Sequence, residues 1–71
     1  MNRFLRYSLE NGKKIRAMIM IDGAISQMNL IVTGLAGDTV SFTDLKRKRE
    51  MTLPLSQFLS ADYAKGDKGE G

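Results

Sequence analysis

The chain contains no cysteine, no histidine and no tryptophan, and only one proline. Without cysteine no disulfide can form, and without cysteine or histidine the usual ligands of a structural zinc are missing too. Histidine is the common general base near neutral pH and cysteine the most reactive nucleophile, so acid–base and nucleophilic catalysis lose their usual agents. The carboxylates (Glu10, Asp22, Asp38, Asp44, Glu50, Asp62, Asp67 and Glu70) fall mostly at turn-like or C-terminal positions, where turn chemistry explains them. We read the protein as non-enzymatic, with no cofactor and no metal.

Long apolar runs are absent as well. No stretch reaches the roughly 20 apolar residues that a membrane-spanning helix needs, and Met1 to Leu9 has no continuous apolar segment of the signal-peptide type. The expectation is a cytoplasmic protein with no membrane partner. Its 42% hydrophobic and 27% charged residues are those of a globular chain. At 71 residues it can build one core, and a domain of that size buries only about 60% of the surface its unfolded chain exposes. Oligomerisation is the staple that remains.

The net charge of +3 is unevenly spread. The first 16 residues carry Arg3, Arg6, Lys13, Lys14 and Arg16 against Glu10, and a second basic run, Lys46-Arg47-Lys48-Arg49, lies between Asp44 and Glu50.

Hydrophobic spacing supplies the elements. Phe4, Leu5, Tyr7, Ser8 and Leu9 gather on one face of a short helix over 2–11, with Asn2 as N-cap and Gly12 as stop. Lys14 to Ile21 alternates, as a strand does, and Asp22-Gly23 suits a two-residue type I′ turn. Folding there pairs Ile21 with Ala24, Ile19 with Ser26, Ala17 with Met28 and Ile15 with Leu30 on a core face. The other face pairs Met20 with Ile25, Met18 with Gln27 and Arg16 with Asn29.

A third strand follows at Thr39 to Thr43. Placing Val40 and Phe42 on the core face requires a three-residue loop at 36–38, or a bulge at Gly34, because a one-residue slip inverts a strand. Pairing Phe42 with Met51 then puts Leu45 to Lys48 at a hairpin tip. Pro54 marks an edge or break, a single helical turn follows at Leu55 to Leu59, and a last strand runs to Tyr63. Residues 64–71, with three glycines and two lysines, are expected to be a disordered tail behind a single domain at 1–63. The fold class is mainly β: a short N-terminal helix and a five-stranded antiparallel small barrel of the SH3-like or Sm-like kind.

Two families resemble this layout. Met51-Thr52-Leu53-Pro54-Leu55-Ser56-Gln57-Phe58-Leu59-Ser60 is similar to the end of the WYL domain, a Sm-like barrel that serves bacterial transcription regulators as a ligand or nucleic-acid sensing module. The likeness of layout covers roughly residues 5–61. Met51 and Gln57 stand where that family places arginines, so the resemblance implies the scaffold without its ligand-binding residues. Leu9-Glu10-Asn11-Gly12, together with Asp22 and Met28-Asn29-Leu30, resembles the first Sm motif, which implies Asn29 as a contact for RNA. The second Sm motif is absent.

Two surfaces are candidates for function. Lys46, Arg47, Lys48 and Arg49 can neutralise phosphates of RNA or DNA, joined by Lys13, Lys14 and Arg16 if the fold brings them to one side; otherwise they form a solvated, edge-protecting hairpin. Met18, Met20, Ile25 and Ile31 leave the second face of the first hairpin partly apolar, to be covered by the N-terminal helix or by another subunit. The expected function is a small binding or regulatory module that acts on nucleic acid, with homo- or hetero-oligomeric assembly through the Met-rich face as the alternative.

Overall fold

The computed structural model describes residues 2–64, apart from the side chain of Asn2. The proposed Asn2 cap and the tail from 65 to 71 therefore lie outside the described residues. In chain order the elements are α1 (Asn2–Asn11), β1 (Ile15–Ile21), β2 (Ala24–Ala36), β3 (Thr39–Asp44), β4 (Arg49–Pro54), a 3-10 turn (Leu55–Gln57) and β5 (Phe58–Tyr63). The strands form one antiparallel sheet in the order β4-β3-β2-β1-β5. The fold is mainly β, as expected. No β4–β5 ladder closes the sheet among the described residues. No helix in them is long and apolar enough to cross a membrane.

The first hairpin has the register that Asp-Gly dictates. Asp22 and Gly23 take φ of 53° and 79°, the left-handed values a type I′ turn demands. Every pair from Ile21↔Ala24 to Ile15↔Leu30 follows. Ile15, Ala17, Ile19, Met28 and Leu30 are buried on the inner face.

Between β2 and β3 the turn is shorter than a three-residue loop. Ala36 pairs with Thr39 across Gly37-Asp38, and Gly37 sits at φ 60°. A glycine able to adopt that angle permits the two-residue turn, so the extra residue is absorbed elsewhere. The register shifts between Val32↔Phe42 and Gly34↔Ser41, which makes Thr33 the bulged residue beside Gly34. The bulge does what the longer loop was needed for: Val32, Val40 and Phe42 are all buried.

Rings from distant strands meet inside the sheet. On a flat sheet β3 and β5 would stand three strand spacings apart, about 14 Å, yet the Phe42 and Phe58 rings touch edge to face with centroids 5.5 Å apart. The sheet therefore curls around its core. The α1 helix packs against this curl, with Leu5 in the same buried cluster as Ile19, Leu30 and Phe42. Tyr63 fixes it laterally through edge-to-face contacts with Phe4 at 4.9 Å and Tyr7 at 5.3 Å. Gly12 ends the helix at φ 63°. Ala64, assigned from the sequence to the tail, is buried.

One hydroxyl joins helix and sheet. Ser8 is fully buried; its Oγ accepts from the Val32 N–H at 2.8 Å and donates to the Lys13 carbonyl at 2.6 Å. The residues flanking a two-residue turn are a hydrogen-bonded pair, and such pairs recur at every second residue. Two steps beyond Ile15↔Leu30 the next such pair is Lys13 with Val32. Ser8 thus occupies the place of the next ladder bond, ahead of the start of β1. Replacing Ser8 by Ala orphans a buried N–H and a carbonyl at about 1–3 kcal/mol each. We expect Ser8→Ala to lower unfolding free energy by about 2–4 kcal/mol in urea titrations with an unchanged m value; a loss under about 0.5 kcal/mol would show that direct pairing substitutes for the bridge.

Candidate nucleic-acid interface

The basic run lies at the tip between β3 and β4, and an aspartate organises it. Asp44 ends β3 fully buried. Its Oδ1 accepts from the backbone N–H groups of Lys46 at 3.0 Å and Arg47 at 3.4 Å, and its Oδ2 accepts from the Arg47 guanidinium at 3.1 Å. Lys48 N–H closes the loop on the Asp44 carbonyl, with Lys48 itself in the left-handed region at φ 57°. The side chain thus folds the tip locally, as Asp does in turns.

A second tie holds the tip against β2. Leu45 N–H donates to the Asn29 carbonyl at 3.1 Å. β3 reaches only to Leu30↔Asp44, so the first half of β2 pairs with β1 alone on its other side. The outcome is a cleft of about 600 Å³ between the tip and β2. Lys14, Lys46 and Arg47 line it, with Gln27 and Asn29 from β2 and Asp44 at its base, the carboxylate itself buried.

The structure therefore brings together some of the sequence candidates and leaves others outside. Lys14, at the entry to β1, and Lys46 and Arg47, at the tip, share the cleft. Lys13, Arg16, Lys48 and Arg49 do not line it. The Lys13 carbonyl is held by Ser8, and Arg16 points along the outer face to Asp62 at 4.0 Å. Lys48 and Arg49 are exposed on the return side of the hairpin. Asn29, which the Sm likeness implied, is in the cleft, and so is Gln27, which no sequence signal marked. No aromatic side chain lines it: Phe4 and Tyr7 each pack edge to face on Tyr63, and Phe42 on Phe58.

The apolar candidates lie on the outer face. Met18, Met20 and Ile31 are half-buried and Ile25 is 57% exposed. The helix does not cover them. It contributes Leu5 to the inner cluster, to which none of the four belongs. Leu5 anchors α1 on the inner face, and the Ser8 bridge holds it at the end of the β1–β2 ladder. Among the described residues no group of His, Cys, Asp or Glu is placed to hold a metal ion. No protein-family model, curated protein or solved structure matches the chain.

Burial pushes the Asp44 carboxyl up, but the hydrogen bonds from the Arg47 side chain and from the Lys46 and Arg47 backbone outweigh it and hold the group below its ordinary value of 3.8. A carboxylate whose folded value is depressed adds stability above the unfolded value, and that stability is lost as pH falls through the folded one. We expect unfolding free energy to drop as pH falls below about 4, and Asp44→Asn to flatten that part of the profile while lowering stability at pH 7. Identical acid profiles for the two proteins would contradict the role given to Asp44.

Proposed function

We propose that the protein is a small non-enzymatic binding module on a Sm-like or WYL-like β scaffold, and that it grips nucleic acid by its phosphates in the cleft between β2 and the β3–β4 tip. The observation that carries this is convergence: Lys14 and the pair Lys46 and Arg47, far apart in sequence, line one concave surface. A charged hairpin that served only to protect an edge would have no need of Lys14 opposite it. The helix ahead of β1, the strand order and the single turn before β5 accord with the small-barrel layout. Neutral donors and acceptors on Gln27 and Asn29 stand beside the cations, a mixture that suits phosphate and base edges together.

A second reading, assembly through Met18, Met20, Ile25 and Ile31, is favoured by the exposure of Ile25 at 57%, since exposed apolar groups mark interfaces. One titration separates the two. With a short single-stranded RNA at about 50 mM salt, log affinity is expected to fall with log salt at a slope near −2, for three cations at about 0.7 each. Lys14→Ala and Lys46→Ala each reduce that slope by about 0.7. Light scattering on the same samples reports the mass. Nil binding, or binding unchanged when Lys46 to Arg49 are all alanine, ends the nucleic-acid reading; a dimer or larger species that Ile25→Lys dissociates would establish the second.

A further inference from the structure

Resting on the nucleic-acid reading, we infer that the cleft is built for a phosphate monoester, the terminal phosphate of a strand, in preference to the diesters along its length. Charge is the first argument. Lys14, Lys46 and Arg47 set against Asp44 leave the cleft at +2, whereas each diester carries a single negative charge. A monoester carries about −1.5 to −2 near neutral pH, which is the better match.

Shape is the second. Other cations stay outside the cleft: Arg16 is turned to Asp62 on the outer face, and Lys48, exposed at the tip, does not line it. Among the described residues only Lys14, Lys46 and Arg47 bring positive charge to the cleft wall, fewer than a groove that follows a backbone through several nucleotides requires. The space of about 600 Å³ is that of a pocket for one small ligand.

The third argument is the surface beside the charges. Alternate residues of β2 aim their backbone groups away from β1. Gln27 is one of them, and β3 has ended before reaching it. Its N–H and C=O, with the side-chain amides of Gln27 and Asn29, offer both donors and acceptors at the cleft wall. An internal run of bases would call for aromatic platforms, and none lines the cleft. A single terminal nucleotide, its phosphate between the cations and its base against the amides, uses what is present.

The test compares one RNA sequence with a 5′ phosphate, a 3′ phosphate or neither, with a nucleoside monophosphate and inorganic phosphate as competitors. One terminal phosphate is expected to raise affinity about tenfold at pH 7.5. The gain shrinks at pH 5, below the second phosphate pKa of about 6, and disappears in the Lys14→Ala/Lys46→Ala double variant, whose fold is checked by circular dichroism. Equal affinity for all three RNAs overturns the inference and leaves the nucleic-acid reading standing. If no RNA binds but the monophosphate does, and the double variant abolishes this, the monoester site holds, its source is a free nucleotide, and the nucleic-acid reading falls. Binding of neither overturns both.

Discussion

The buried hydroxyl of Ser8 is the joint on which the architecture depends. A sheet whose strands end at different points leaves backbone groups without partners, and in a core this small an orphaned N–H is costly. β1 begins two residues too late to give Val32 its ladder partner, and Ser8 supplies donor and acceptor at once, to Lys13 and Val32. This fixes the entry of the helix, so that Leu5 completes the core. It also pins the carbonyl of Lys13, and through the next peptide bond sets where Lys14 enters the cleft. The Val32 N–H lies directly before the bulge at Thr33, so the same bond steadies the point where β2 bends.

From that bend the cleft follows. A strand paired with β1 over its first half and with β3 over its second leaves a step where β3 gives out. Into this step the tip is drawn by the bond from Leu45 to Asn29, while Asp44 holds two of the three residues that supply the positive charge. A buried carboxylate under a basic loop is a folding device. It gathers the Lys46 and Arg47 backbone with charge-assisted bonds, while the Arg47 side chain remains 62% exposed and open to a ligand.

Much of this was legible in the sequence where a short-range rule was decisive. Asp22-Gly23 fixed one register, and the demand that Phe42 face inward fixed the next to within two alternatives, of which the Thr33–Gly34 bulge is the one present. The pairing of Phe42 with Met51 and the break at Pro54 came from alternation and from proline chemistry. What escaped was tertiary. Ser8 sits among apolar residues of a helix face, and nothing local says that its hydroxyl bridges residues 13 and 32. The helix, offered as a lid for Met18 and Met20, docks on the other side, where Leu5 enters the core. Charge runs showed which residues are basic, but their meeting depends on β2 and β3 carrying the chain from the start of β1 back to the tip beside Lys14. Gln27, lacking any pattern, enters the cleft only through that geometry.

The Ser8 bridge can be observed in the unaltered protein by native-state hydrogen exchange at the Val32 amide. If the hydroxyl completes the ladder between β1 and β2, Val32 exchanges only by global unfolding, with an opening free energy equal to that of Leu30 and of the whole domain. Exchange of Val32 at the rate of the Gly37 turn, while Leu30 stays protected, would mean that the bond is not maintained in solution, and the placement of the helix and of Lys14 would need another cause.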